Sequence, residues 1–218
     1  MREAAPKRNR LTTGLEAVDS LAPFGSFVTG AVHEILSQSN TPAVLLPILL
    51  AKAAAQSGRV IWCDFERTFY PPGVARLGLS LDRTVVLQPT QVRDEFWAVT
   101  ESLRCKGVAA CIAPVNLLSR VQARRLQLAA ERGGGIGILL RPASAMHSSY
   151  AAATRWLIRP AQGERNIQRW SIELTHGHGG RVGEVAYMEL CRETNHVRAI
   201  AEMVYRQVSQ IPAATGTS

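Results

Sequence analysis

The chain has 218 residues, of which 46% are hydrophobic, and its net charge is +8. This length and apolar content are typical of one well-packed domain with room for a small appendage. Residues 1–10 are polar and basic, and the most apolar run, 43–55, is interrupted by Pro47 and Lys52. These features exclude a secretory signal and a membrane span of about 18 residues, so we expect a soluble, cytosolic protein.

The basic residues are almost all arginine. Only Lys7, Lys52 and Lys106 are lysines, so 22 of the 25 basic residues are arginines. A cationic excess favours a nucleic acid or an acidic protein as partner. Charge alone leaves both partners open, because a GC-rich genome also enriches arginine without any functional need.

Apolar runs alternate with helical segments through the first two thirds of the chain. We predict a disordered basic tail over 1–10, and a helix over 41–57 that starts at Thr41 and Pro42 and kinks at Pro47. The other predicted helices cover 71–77, 90–105 and 116–132, and strands are predicted at 31–36, 59–65, 84–87, 108–113 and 136–140. This alternation predicts an α/β fold with a mostly parallel sheet and helices on both faces.

The pattern changes after Pro142, where strand-like segments follow one another without long helices between them. Four strands are predicted, at 154–159, 167–175, 184–191 and 197–204. Short turns between such strands predict antiparallel hairpins. The predicted organisation is therefore a tail (1–10), a core (11–142), an antiparallel β extension (143–205) and a flexible tail (206–218).

The first predicted strand runs into its helix where a nucleotide-binding protein carries a phosphate-binding loop. The motif G-x-x-x-x-G-K-[ST] places its two glycines, lysine and hydroxyl on Ser37, Pro42, Ala43 and Val44. Pro42 has no N–H to donate, Ala43 cannot reach a phosphate, and Val44 has no hydroxyl for Mg²⁺. The segment is either a degenerate phosphate loop or an ordinary strand–helix junction that never bound phosphate.

Several segments resemble the core of the RecA recombinases. Residues 11–19 contain a T-G-x-x-x-x-D pattern, 30–35 a G-x-x-x-E-I pattern, 64–66 a D-x-E motif, and 70–79 a similar helix and turn. The resemblance implies a RecA-like, mostly parallel sheet flanked by helices, with a C-terminal antiparallel β extension. It also implies that Asp64 and Glu66 descend from nucleotide-site residues.

The chain departs from the RecA pattern beyond the phosphate loop. By resemblance, the strand at 108–113 should end in a magnesium-binding Asp, but Ala113 and Pro114 stand there. The segment 116–135 reads as a compact helix and turn, so the DNA-binding loops of RecA have no evident counterpart. A base such as Glu66 is of no use without the lysine and the metal. We therefore expect no catalytic residue and no cofactor, with Asp64 and Glu66 vestigial or capping.

A closer resemblance is to the ImuA family, which is itself related to SulA. It rests on residues 124–131, 139–142, 170–174 and 179–181. It implies a non-catalytic, DNA-damage-induced (SOS) adaptor in error-prone translesion synthesis in the bacterial cytoplasm, nucleoid-associated after damage. The implied partners are an ImuB-type Y-family protein, RecA and an error-prone C-family polymerase, with DNA left open. The alternative is a SulA-like division inhibitor that binds FtsZ, and an ATP-binding recombinase paralogue is a third, disfavoured one.

Two clusters of side chains remain as candidate sites. Arg120, Arg124, Arg125 and Arg132 lie on one predicted helix, where they form either a basic face for DNA or an acidic partner, or a solvated surface. His176 and His178 flank Gly177, but no Cys or carboxylate nearby in sequence completes a four-ligand shell. We therefore expect a polar turn there and no metal site.

Overall fold

The computed structural model describes residues 9–38, 44–148 and 151–201. Its helices are α1 (Glu16–Asp19), α2 (Leu45–Ala54), α3 (Pro71–Arg76), α4 (Val92–Arg104) and α5 (Arg120–Gly133), with 3₁₀ turns at Pro23–Gly25, Leu81–Arg83 and Ala143–His147. Its strands are β1 (Arg10–Leu11), β2 (Phe27–Val28), β3 (Ala31–Ser37), β4 (Arg59–Cys63), β5 (Thr84–Leu87), β6 (Val108–Pro114), β7 (Ile136–Pro142), β8 (Thr154–Ala161), β9 (Ile167–Gly177), β10 (Val185–Cys191) and β11 (Val197–Ala201). No helix in these ranges is long and apolar enough to cross a bilayer.

Nine of these strands form one mixed sheet in the order β11-β10-β9-β8-β3-β7-β6-β4-β5. The strands from β8 to β5 are parallel to their neighbours, and β9, β10 and β11 continue the sheet in antiparallel pairs. The predicted fold class, a mostly parallel sheet with helices and a C-terminal antiparallel extension, is confirmed.

One strand of the predicted extension makes a pairing that was not predicted. Strand β8 forms the expected antiparallel hairpin with β9, and its other edge pairs in parallel with β3. The reason lies in the connection before it, because the 3₁₀ turn at Ala143–His147 packs Ala145 against Leu36 and Leu157. The chain thus crosses β3 and starts β8 on its far side.

The N-terminal end of the chain differs in part from the predicted tail. Residues 1–8 lie outside the described range, whereas Arg10 belongs to β1, which pairs with β2. The amide of Asn9 also donates to the Thr29 hydroxyl. The last predicted strand, 197–204, is described only as Val197–Ala201, and the predicted tail at 206–218 lies outside the described residues.

The described part of helix α2 is shorter than the helix predicted over 41–57. The predicted start at Thr41 and Pro42 lies outside the described residues, and the described helix begins at Leu45, after Val44 in helical backbone geometry. Pro47 is therefore the third residue of α2 and not an interior one. Because the first four N–H groups of a helix have no helical acceptor, this proline removes no hydrogen bond and requires no kink.

Helices cover both faces of the sheet. Helix α2 buries eight of its ten residues, seven of them in one cluster with Ile35 of β3 and Trp156 of β8. Helices α4 and α5 bury Leu103 and Leu126 against Val32 on the opposite face. Each face of the sheet is therefore closed by apolar packing, which is the main stabilising contribution expected of such a layered fold.

Helix α5 starts and stops at identifiable signals. It begins at Arg120 and not at 116, because the Ser119 hydroxyl accepts from the Gln122 amide while the Gln122 side chain accepts from the Ser119 amide. This capping box satisfies two amides that the helix itself leaves unpaired. The helix ends at Gly134, whose φ of 86° is the left-handed conformation that glycine adopts without strain.

His33 lies at the centre of a buried polar chain on the α2 face of β3. The Trp156 indole N–H donates to the Thr154 hydroxyl (2.7 Å), which lies 2.7 Å from His33 Nδ1, and His33 Nε2 lies 2.9 Å from the Val28 carbonyl. A carbonyl can only accept, so Nε2 carries the proton and Nδ1 accepts from Thr154. Burial disfavours the imidazolium and lowers the pKa of His33 to about 4, against a smaller opposing effect of the Val28 hydrogen bond.

The low pKa of His33 predicts acid-sensitive folding. Above pH 6.5 the imidazole is neutral in both states, and its full contribution to stability is present. As the pH falls from 6.5 to about 4, the unfolded chain binds a proton at this imidazole and the folded chain does not. This difference lowers the free energy of unfolding by roughly 3 kcal/mol. Urea unfolding of the parent and of His33→Gln across this range should show a shallower pH dependence for the variant. Parallel curves would contradict the assignment.

Candidate functional site

The phosphate-loop positions lie between β3 and α2. Ser37 is the last residue of β3, half-buried between Pro142 of β7 and Ile158 of β8. Val44 immediately precedes α2, while Pro42 and Ala43 lie outside the described residues. The strand–helix junction therefore has the place expected of a phosphate loop, but Ser37 and Val44 lack the glycine and the hydroxyl of the motif there.

The position at which a RecA-type ATPase carries its magnesium-binding Asp lies at the end of β6, the neighbour of β7. Ala113 is fully buried near the end of β6, and Pro114 is its last residue. Strand β6 pairs with β7, which in turn pairs with β3, so the two motif strands flank β7. Neither Ala113 nor Pro114 offers a side-chain oxygen, whereas Mg²⁺ is bound through carboxylates, hydroxyls and water.

Asp64 follows β4 and is buried. Its Oδ1 accepts from the Thr68 amide at 2.7 Å, and its Oδ2 accepts from the Gln88 side chain at 3.0 Å. The Asp64 amide donates to the Leu87 carbonyl at 2.9 Å. Both carboxylate oxygens are thus engaged in holding the loop after β4 against the end of β5, which is a local organising role.

Glu66 lies two residues further on and is exposed. It lines a cavity of about 450 Å³ outside the carboxyl ends of β4 and β6, with Glu95 and the aromatic rings of Phe65 and Phe96. This is the edge of a doubly wound sheet where ligands bind most often. However, the described residues that line the cavity include two carboxylates and no lysine or arginine, so they do not suit a phosphate group.

A buried ion cluster surrounds Glu34 in the middle of β3, on the face of that strand opposite to His33. Glu34 accepts from Arg141 of β7 at 3.1 and 3.2 Å and from Arg155 of β8 at 2.9 Å. Arg155 also donates to the backbone carbonyls of Ala145 and Met146. Arg141 also donates to the backbone carbonyl of Val115 and to the Ser148 hydroxyl. The sequence analysis included Glu34 only as a motif letter and missed both arginines.

A second acidic residue is held in the same way within the C-terminal strands. Glu189 of β10 accepts from Arg169 of β9 and Arg198 of β11. Burial alone would raise the pKa of Glu189, but the hydrogen bonds from Arg198 and Arg169 and their charges outweigh it and hold the pKa below its ordinary value. This pairing joins three antiparallel strands across one face and was also missed from sequence.

The four candidate arginines lie together on α5. Arg120, Arg124, Arg125 and Arg132 are all exposed, and the Arg125 guanidinium lies 5.4 Å from the centre of the Phe96 ring. The helix and the residues before it carry a further feature that the sequence analysis missed, since the large apolar side chains of Leu117, before the helix, and of Val121 and Leu128, within it, are also exposed. Their spacing of four and seven residues was the signal that could have found them.

The histidine pair ends a strand. His176 belongs to β9, and His178 follows Gly177 in the turn. Across 9–38, 44–148 and 151–201, no three His, Cys, Asp or Glu side chains lie close enough together to hold a metal ion.

The buried Glu34 cluster predicts a large difference between two glutamate substitutions. Glu34→Gln leaves two buried guanidinium groups without their counter-charge and should lower the free energy of unfolding by about 3 kcal/mol or more. The matched control, Glu173→Gln, removes the partner of the partly exposed Arg159 in the same sheet and should cost about 1 kcal/mol or less. Chemical denaturation of both variants measures this, and equal losses would contradict the role of the cluster.

Comparisons with known proteins complete the description of the site. No family model matches the chain. Protein ImuA from two strains of Caulobacter vibrioides is 27% identical over 196 residues, which cover 79% of this chain and 80% of ImuA. Cell division inhibitor SulA of Pectobacterium atrosepticum is 30% identical over 126 residues, or 56% of this chain and 74% of SulA.

Among solved structures, the chain is similar to the crystal structure of the RadB recombinase. The TM-score is 0.67 with 14% identity, over 87% of this chain and 99% of that one. At this identity the likeness concerns the fold, and the sequence matches supply the relationship. Taken with the sheet order and the strand–helix junction after β3, they show that the chain belongs to the family of ImuA- and SulA-related proteins built on the RecA fold.

Proposed function

We propose that the protein is a non-catalytic, RecA-like adaptor in SOS-induced, error-prone translesion DNA synthesis. The observation that carries the proposal is the similarity to ImuA, which extends over 196 residues and most of both chains. It covers 79% of this chain, which is more than the parallel core comprises, and therefore continues into the C-terminal region. The RecA-like fold supports the same assignment but is shared by proteins of many functions.

The non-catalytic part of the proposal rests on residue identities. Ala43, Val44, Ala113 and Pro114 occupy the positions where a RecA-type ATPase carries its lysine, hydroxyl and magnesium ligand. Phosphoryl transfer depends almost wholly on positioning and on charge stabilisation by such groups. Asp64 is engaged with Thr68 and Gln88. Glu66 alone could activate a water molecule, but the groups that would hold and polarise the phosphate are replaced.

The adaptor part of the proposal rests on surface chemistry and on the resemblance to ImuA. The proposed partners are an ImuB-type Y-family protein, RecA and an error-prone C-family polymerase, with DNA as a further ligand. The net charge of +8 and the exposed arginines of α5 support binding to acidic macromolecules. We further propose that the protein works in the bacterial cytoplasm and joins the nucleoid after DNA damage.

A second candidate function is inhibition of cell division through FtsZ, as the name of the SulA relative suggests. The observation that favours it is the higher identity to SulA, 30% against 27%. The SulA match, however, leaves 44% of this chain unmatched, whereas the ImuA match leaves 21%. We therefore place the translesion adaptor first.

The proposal predicts that nucleotide has no effect on the protein. A ligand present at 100 times its dissociation constant adds about 2.7 kcal/mol to stability. We expect no change in the melting temperature with millimolar Mg-ATP, and no phosphate release above a protein-free control. Hydrolysis that disappears in Glu66→Ala would overturn the non-catalytic assignment.

The two candidate functions predict different partners. The purified full-length chain should retain an ImuB-type protein from the same bacterium in a pairwise affinity experiment, and should leave FtsZ polymerisation, followed by light scattering, unchanged. The reverse pattern, with no retention of the ImuB-type protein and stoichiometric inhibition of FtsZ, would replace the adaptor with the division inhibitor.

A further inference from the structure

The exposed side of α5 carries an apolar stripe lined by arginines. The stripe consists of Val121, Arg124 and Leu128 of the helix and of Leu117, which lies two residues before the Ser119 cap, and the apolar members Leu117, Val121 and Leu128 are 91%, 71% and 46% exposed. Arg120, Arg125 and Arg132 flank it on the same helix, and all three are exposed. We call these seven residues the α5 surface.

The fold itself forces these apolar side chains outward. The opposite side of α5 packs Ala123, Leu126 and Ala130 into the core against β3 and β7. The capping box at Ser119 fixes where the helix starts, so that Leu118 is buried while its neighbour Leu117 is exposed. The exposure of Val121 is therefore a fixed feature of the packed helix, and Leu117 is exposed two residues before the cap.

The spacing of the stripe suits a helical partner. Its helical members Val121, Arg124 and Leu128 follow one another at intervals of three and four residues, which is the repeat by which two helices pack along a shared seam. Arginine is itself enriched at protein interfaces, where its stem packs against apolar groups and its head pairs with carboxylates. The α5 surface thus offers apolar contacts along its centre and cationic groups along both edges.

The charge of the surface selects an acidic occupant. Four arginines of α5 are exposed, whereas its one carboxylate, Glu131, is half-buried and accepts from the Gln127 side chain. The neighbouring carboxylates Glu66 and Glu95 line the cavity between α4 and the end of β6, and among the members of the α5 surface only Leu117 lines the same cavity. Opposite charge along the edges favours a partner helix that carries Asp or Glu beside its apolar seam.

We propose that the α5 surface binds an acidic amphipathic helix of a partner protein. This inference rests on the proposed adaptor function and names the chemistry of one contact that the function needs. The chain's own ends do not supply such a helix, because 202–218 contains a single carboxylate, Glu202, and 1–10 is basic. A second copy docked through the same face would bring arginines against arginines, which is repulsive.

Duplex DNA is the competing occupant, and the apolar residues argue against it. Phosphate contacts require cationic or polar groups, and sequence-independent DNA binding gains nothing from exposed leucine or valine. The described residues of α5 include no aromatic ring on which an unpaired base could stack. The three apolar members of the surface are accounted for by a protein helix and not by nucleic acid.

The test uses two synthetic helical peptides of about three heptads that differ only in charge. Both carry leucine at the seam positions, and the flanking positions carry glutamate in one peptide and lysine in its twin. We expect the full-length chain to bind the glutamate peptide at least about tenfold more tightly than the lysine twin, by fluorescence anisotropy at physiological salt. Equal binding of the twins, or no binding of either, would overturn the proposal.

Paired variants locate the binding on α5. Arg124→Glu and Val121→Ser should each weaken binding of the glutamate peptide by about tenfold, and Arg124→Glu should improve binding of the lysine twin. The controls are Arg76→Glu on α3 and the exposed Val182→Ser, which make the same changes elsewhere and should leave binding unchanged. Unchanged melting temperatures show that the variants fold, and equal losses in the controls would overturn the site.

Two further outcomes separate this inference from its alternatives. A duplex of about two helical turns that binds the parent, loses affinity in Arg124→Glu and keeps it in Val121→Ser would assign the surface to DNA and overturn the proposal. Retention of the ImuB-type protein is measured on the same variants. If it binds the parent and both α5 variants equally, the inference fails while the adaptor function stands. If the glutamate peptide behaves as expected and the ImuB-type protein does not bind, the surface stands and the adaptor function fails.

Discussion

The buried carboxylate of Glu34 sets the arrangement on which the rest of the sheet depends. It sits between Arg141 and Arg155, so that one side chain fixes β3 against both of its parallel neighbours. A buried ion pair is a weak source of net stability but a strong penalty on alternatives, since any register that separates the three groups leaves a charge unpaired in the core. Arg155 also binds the carbonyls of the 3₁₀ turn, and this holds the crossing that brings β8 to the far side of β3.

Because of this constraint, the position of β3 in the fold does not depend on the residues of a nucleotide site. Glu34 locks one face of β3 through Arg141 and Arg155, and His33 locks the other through Thr154 and Val28. Both networks are satisfied within the protein, and the described residues contain no buried side-chain polar atom without a partner. The strand that would present a phosphate loop is therefore held without any contribution from a ligand, and the loop positions are free to carry residues such as Pro42 and Ala43.

Local patterns predicted the local elements, and interactions distant in sequence decided the rest. The strand Thr84–Leu87 was predicted residue for residue, because a short β-branched run between turn signals is readable by itself. The parallel pairing of β8 was missed, because it depends on a crossing and on Glu34, which lies 121 residues from Arg155. The start of α5 was placed too early because the helical spacing of apolar residues continues on the N-terminal side of Ser119. The capping box that sets the true start depends on a particular side-chain geometry.

Exposed residues that do not contribute to the packing of the domain carry the remaining information about function. A packed domain gains nothing from Leu117 or Val121 on its surface, and single exposed apolar residues need no explanation by themselves. On α5, Val121 and Leu128 stand at the spacing of a helix seam, on a helix whose start is fixed and whose edges are lined by arginine, and Leu117 precedes that start. The proposed adaptor function would lie in such surfaces, and α5 is where sequence, exposure and charge agree on one kind of partner.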